Sequence, residues 1–304
     1  MPKDLVSRYV WIVDTLTRYE KLSREQINKL WMRSALSNGE PIPERTFFHY
    51  RRAIEDNFHI DISCDSQGRY YINQKSGKNN LSLTNWMLDS MAVSMAIRNS
   101  DVPMDRVEIE DVPSAREFLP TVLEAIKSGN KIEFTYAGFN RSRAEHGILF
   151  SPYFLKRYKQ RWYMVGLKEK SNDIRTYALD RVKEMKTKEE TFVMPEDVDM
   201  QDLFGNIIGI TSSKASVRPV RLQTTPQQAK YFRALPLHPS QSEVVHDQYS
   251  IFTYQLKLNY ELVHEILSFG DAVKVLEPVE LKVMVVNELK GMLSQYDDGI
   301  ECKK

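Results

Sequence analysis

Two cysteines in a chain of 304 residues are too few, and too far apart, to build a disulfide framework or a thiolate metal site. Cys64 and Cys302 stand near opposite ends without redox or zinc-ligand spacing, so a reducing compartment is expected. No uninterrupted apolar run approaches the ~20 residues of a membrane-spanning helix. The first residues, MPKDLVSRYVW, carry charges where a secretion signal needs an apolar core. A cytoplasmic protein with no membrane partner is the expectation, and in it the sequon Asn140-Arg141-Ser142 carries no meaning. Catalytic motifs are missing too. There is no Gly-x-Ser-x-Gly elbow, no dinucleotide fingerprint and no Gly-rich loop closing on Lys-Ser/Thr. The six histidines (49, 59, 146, 238, 246 and 264) form no metal-binding pair. KSGK at 75–78 follows no buried strand. A non-enzyme without cofactor or metal is therefore expected. Net charge is +1, which announces no polyanionic partner globally but hides local asymmetry.

What the sequence does have is order by segment. Its length exceeds one compact core, and 42% hydrophobic with 27% charged residues suits a globular protein, so two or three domains are expected. Leu5, Tyr9, Ile12, Val13 and Leu16 recur at three- and four-residue steps and predict a helix over 4–20. Ser23 and Gln26 form a capping box for a second helix over 23–35, with Ile27, Leu30 and Trp31 as its buried stripe. After the breakers of SNGEPIPE comes a third helix over 44–57. Phe47, Ile54 and Phe58, with Tyr50 or Arg51, mark its inner side. HIDISCDSQGRYYINQ then reads as a hairpin. Three helices and a hairpin predict a winged helix-turn-helix over 1–75. KSGKNNL is a boundary, and helices over 82–98 and 114–128 make a spacer over 76–128. They read equally as a dimer-forming element or as ordinary core.

From 131 the period becomes two. KIEFTYAGF, GILFSPYFL, RWYMVGLKE, IRTYALDRV and VKEMKTKEETF are five short strands, which point to a small barrel or sandwich over 129–192. From 216 the order is strand, helix, two strands, helix, strand, helix, which suits a ferredoxin-like module within 193–304. The fold class is thus α+β and multidomain.

Two surfaces could carry chemistry. On the third helix Arg45, Thr46, His49 and Arg52 fall mostly outward, as a helix that reads a major groove would place them, and Arg69 on the hairpin could reach phosphate or the minor groove. A solvated helix face is the alternative. Residues 1–75 hold twelve Lys/Arg against ten Asp/Glu, a net of only +2, which makes a lone domain a modest DNA binder; dimerisation would double the phosphate contacts and explain adequate affinity. Residues 131–192 hold fourteen Lys/Arg against eight Asp/Glu, a net of +6, with Tyr136, Tyr153, Tyr158, Trp162, Tyr163 and Tyr177 interleaved. Guanidinium groups for phosphate and rings for stacking suit a nucleotide-like anion. Strand alternation puts Arg161, Tyr163 and Val165 on one face and Trp162, Met164 and Gly166 on the other. It also puts Arg175, Tyr177, Leu179 and Arg181 together. One ring of the Trp162-Tyr163 pair is expected to fill the barrel, and a plain core role for Trp162 stands beside a ligand role.

RWYMVG followed by RTYALDRV resembles the WYL domain, named for a Trp-Tyr-Leu motif followed by a segment ending in Leu-Asp-Arg. Here Met164 stands for the Leu, a volume-conserving change. SPYFLKRY resembles the strand before that motif, VRLQTT…HPSQ…LVHEILSFGDAVKVLEPVEL resembles the WCX extension, and RTFFHYRRAIED resembles the recognition helix of the family's winged helix-turn-helix. The resemblance implies a bacterial transcriptional regulator, commonly a homodimer. It implies a double-stranded DNA operator and a WYL domain of Sm-like or SH3-like barrel fold that senses a nucleotide or single-stranded nucleic acid. By motif it carries ligand-binding roles to Tyr153, Lys156, Arg161, Tyr163, Arg175 and Arg181. Strand-face reasoning adds Tyr136 and Tyr177. The competing expectation is an accessory regulator that binds protein or RNA, favoured by the near-neutral first 75 residues.

Overall fold

The computed structural model describes residues 5–34, 36–58, 60–73, 86, 90–94, 97, 106–108, 115, 117–139, 142–212 and 215–296. The chain divides into two units, Met1–Glu110 and Asp111–Lys304. The expected helix over 82–98, its connector and the start of the helix over 114–128 lie largely outside the described residues.

In the first unit, α1 (Leu5–Tyr19), α2 (Arg24–Trp31) and α3 (Glu44–Phe58) precede a hairpin of β2 (Ile62–Cys64) and β3 (Arg69–Ile72). A two-residue strand β1 (Leu22–Ser23) joins them in the order β1-β3-β2, antiparallel throughout. The capping box forms: Ser23 Oγ accepts from Gln26 N–H and Gln26 Oε1 accepts from Ser23 N–H. Side chains of α2 then fix where α3 begins. Asn28 Oδ1 accepts from Ile42 N–H at 3.0 Å, and Arg24 donates to Ile42 O at 2.8 Å. Phe47, Tyr50 and Ile54 of α3 face a core shared with Ile12, Leu16, Ile27, Trp31, Ile62 and Tyr70. Phe47 is fully buried and edge-on to Tyr70 at 4.9 Å; removing a ring so placed costs about 3–5 kcal/mol. That burial fixes the rotation of α3 about its axis.

In the second unit, α4 (Leu119–Ser128) packs on five strands: β4 (Asn130–Tyr136), β5 (Glu145–Tyr158), β6 (Arg161–Lys168), β7 (Asp173–Ala178) and β8 (Val182–Thr191). All five expected strands are present. Their order is β7-β6-β5-β4-β8, and the sheet is open. The expected barrel does not close: β7 ends at Ala178, the 3₁₀ turn Leu179–Arg181 carries the chain across, and β8 pairs with β4 alone among the described residues. Gly166 is required where β6 crosses β5, since a Cβ there would lie 2.0 Å from Ser151 O.

A short helix α5 (Met200–Phe204) follows. Phe204 and Ile207 cover Val165 on the outer side of β6. The chain then runs β9 (Arg218–Thr224), α6 (Pro226–Ala234), β10 (Ser242–Val245), β11 (Ser250–Leu256), α7 (Tyr260–Leu267), β12 (Val273–Glu277) and α8 (Val279–Ser294). The sheet order is β10-β11-β9-β12, antiparallel, over a core that includes Leu222, Phe232, Phe252, Tyr254 and Leu281. On α8 only Leu281 is buried, while Val279, Val283, Val286, Leu289, Leu293 and then Tyr296 stay exposed.

Candidate functional site

Because Phe47, Tyr50 and Ile54 point inward, α3 turns Arg45, His49 and Arg52 to solvent, and Thr46 is half-buried at the margin. No hydrogen bond or ion pair among the described residues engages the guanidinium of Arg45 or Arg52. Arg69 is placed differently. Its guanidinium donates to Asp65 at 3.0 and 2.9 Å, and Asp65 also accepts from the backbone N–H of Gln67 and Arg69. These bonds hold the Asp65 carboxyl below its ordinary range, the Arg69 backbone N–H contributing most. Arg69 thus closes its own turn.

The second surface lies on β5, β6 and β7. Directly paired residues share a face, so the pairings Tyr163↔Lys156, Tyr163↔Ala178 and Arg161↔Tyr158 put Lys156, Tyr158, Arg161 and Tyr163 on one side. The turn after β7 brings Asp180 and Arg181 to its edge. Arg161 lies 3.3 Å from Asp180 Oδ2, and the Asp180 side chain is only 8% exposed. Asp180 Oδ1 and Arg181 Nε are both buried without a hydrogen-bond partner. The Arg181 guanidinium lies 3.9 Å from the Phe139 ring centroid. Burial pushes the hydroxyls of Tyr136 and Tyr163 up, and Arg181 and Arg161 respectively oppose that rise most. Lys156 lies under α5 with its ammonium 4.1 Å from the Phe204 ring centroid. Burial pulls its pKa down to about 8, against the opposing charge of Glu261. Glu261 accepts three hydrogen bonds from Ile210 and Thr211 through Oε1, and its Oε2 is buried without a partner.

Tyr136, Arg161, Tyr163 and Arg181 therefore gather around Asp180, and Lys156 lies beside Tyr163 under α5. Three other expected residues do not. Tyr177 is core, edge-on to Phe134, Tyr136 and Phe150. Arg175 stands exposed on the edge strand, paired with Asp173 at 3.0 Å. Tyr153 sits in a β-bulge, buried against Phe192. The expected common face of Arg175, Tyr177, Leu179 and Arg181 breaks because the strand ends at Ala178 and the 3₁₀ turn resets the alternation. Trp162 is half-buried at the rim of the core, whose centre Met164 fills. Sequence reasoning missed Asp180, although it stands in the Leu-Asp-Arg segment. It also missed Phe139, Phe204 and Glu261, which only the fold brings near.

Among the described residues no cluster of three or more His, Cys, Asp or Glu could hold a metal, and no helix is long and apolar enough to cross a membrane. Residues 117–187 match the WYL domain. Residues 216–293 match the WCX domain, so the chain carries a WYL domain followed by a WCX domain. Among solved structures, proteasome accessory factor B/C (PafBC) of Arthrobacter aurescens is similar at 20% identity and a TM-score of 0.38, covering 99% of this chain and 49% of that one. A CRISPR Cas-related protein is similar at 16% identity and a TM-score of 0.26, covering 62% of this chain and 56% of that one. The chain thus spans about half the length of either structure. No curated protein matches it.

Proposed function

We propose that the chain is a DNA-binding transcriptional regulator. Its first unit grips duplex DNA as a winged helix-turn-helix through α3, and its WYL domain takes a nucleotide or single-stranded nucleic acid. The observation that carries the sensor reading is the group Arg161, Tyr163, Arg181 and Tyr136 around a buried carboxylate, with two buried polar atoms left without partners. A buried polar atom without a hydrogen bond is costly, and an anion that accepts from Arg181 Nε would remove the cost of that donor. Phosphate oxygens suit the guanidinium groups and bases suit the exposed Phe139 ring. The effector acts by binding one arrangement of the regulator better than the other. Arg181→Ala is expected to keep duplex binding and lose the response to a short single-stranded oligonucleotide. A gel-shift series with and without oligonucleotide tests this, and an unaltered response sinks the site assignment.

The reading includes a homodimer, which multiplies the phosphate contacts of a nearly neutral first domain. The exposed Val279, Val283, Val286 and Leu293 of α8 support it, since they repeat at steps of four, three and seven like a coiled-coil seam. Light scattering is expected to give twice the chain mass, and Val286→Asp with Leu293→Asp the single mass. An unchanged mass excludes this seam.

A further inference from the structure

We infer that Phe48 is a base-reading residue of α3 and receives the 5-methyl group of a thymine in the major groove. This deepens the duplex-binding reading and rests on it. The inward set Phe47, Tyr50 and Ile54 leaves Arg45, Phe48, His49 and Arg52 along the opposite side. Their spacing is i, i+3, i+4 and i+7, the stripe that one helix face presents to a groove. Phe48 is 44% exposed, whereas its neighbour Phe47 is fully buried. The two rings meet edge-on at 6.2 Å, which steadies the outer one on a fixed support. Single exposed apolar residues are common on surfaces, so exposure alone decides nothing. Position decides: the ring lies one turn into the helix, between Arg45 and Arg52, whose guanidiniums have no partner among the described residues.

Those guanidiniums suit phosphates and the O6/N7 edge of guanine. Between them the stripe offers a flat apolar surface, and the thymine methyl is the apolar group that a major groove presents. At ~1.5 Å rise per residue, Arg45 to Arg52 spans ~10 Å. With base pairs ~3.4 Å apart, Phe48 falls at an inner step of roughly three. Thr46, expected to share the reading face, is half-buried off the stripe, and Phe48 takes that place.

The experiment uses the full-length protein. Wild type selects sites from a randomised duplex library, and each thymine of the enriched site is then replaced by deoxyuridine, one at a time. At one position, or two adjoining ones, loss of the methyl is expected to weaken wild-type binding about 3–10-fold. Phe48→Ala is expected to bind the unmodified site more weakly by a similar factor and to be indifferent to deoxyuridine there. Circular dichroism melting confirms that the exposed substitution leaves the fold intact. Methyl dependence that persists in Phe48→Ala overturns the inference, as does wild-type indifference at every thymine of an enriched site, and in both cases the duplex reading survives. Enrichment of no duplex by wild type overturns both.

Discussion

The stripe on α3 and the face of β5–β6–β7 both offer cations, and they hold them in opposite ways. On α3, Arg45 and Arg52 stand in solvent without an ion partner among the described residues. On the sheet each cation is already engaged: Arg161 by Asp180, Arg181 by the Phe139 ring, and Lys156 by the Phe204 ring. A solvated cation meets a polyanion by releasing counterions, with little rearrangement and strong salt dependence. A cation held by its own chain meets an anion only by giving up that contact, so binding there couples to conformation. The first arrangement suits a grip and the second suits a switch.

The largest effect that would test this contrast comes from Arg45→Ala combined with Arg52→Ala. Duplex affinity at low salt is expected to fall by roughly 100-fold, and the slope of log affinity against log salt by about two, one per phosphate contact. Fluorescence anisotropy over a salt series measures both. Arg69→Ala in the same assay is expected to leave the slope unchanged, because Asp65 already holds that guanidinium. If Arg69 mattered as much as Arg45 and Arg52, the distinction between free and engaged cations would fail.

A smaller effect is expected on the sheet. Asp180→Asn keeps the shape but removes the charge that engages Arg161, and single-stranded oligonucleotide affinity should rise about 3–10-fold by titration calorimetry. A fall would mean that Asp180 positions the ligand instead of competing with it. The smallest effect is a pH dependence. With a folded pKa of about 8, Lys156 loses its charge as pH rises through that value, so oligonucleotide affinity should drop by about 2–5-fold between pH 7 and pH 9. Lys156→Met should flatten that profile. The same shift has a stability consequence of opposite sign. Between the folded value and the ordinary lysine value the unfolded chain binds the extra proton, so this group's contribution to stability grows with pH over that window.

Much of the fold was legible because hydrophobic period is a local property. Leu5 to Leu16 marked α1, Ser23 and Gln26 marked the start of α2, and the change to period two at 131 marked the sheet. What failed was non-local. Nothing near Ala178 in the chain announces that β7 ends there, so Leu179 and Arg181 look continuous with the strand face of Arg175 and Tyr177. Closure of the sheet needed β7 and β8 to meet, and no local pattern reports on such a pairing. In the site, the guanidiniums were visible as a net charge of +6, but their counter-charge was not. Asp180 takes its role from the 3₁₀ turn that folds it back towards β6. On α3, Thr46 and Phe48 both neighbour the outward residues in sequence, and only the rotation set by Phe47 separates them.

The Asp180 carboxylate is covalently tethered beside Arg161 and nearly closed off from water. A rival on so short a tether acts at an effective concentration of ~mM or more. An anion that makes one contact has to exceed that level before it displaces the aspartate. A ligand that engages Arg161 and Arg181 at once competes with the combined strength of both. Under the proposed effector reading, this face works as a filter against the small ions of its surroundings and responds to the number of charges that arrive joined together.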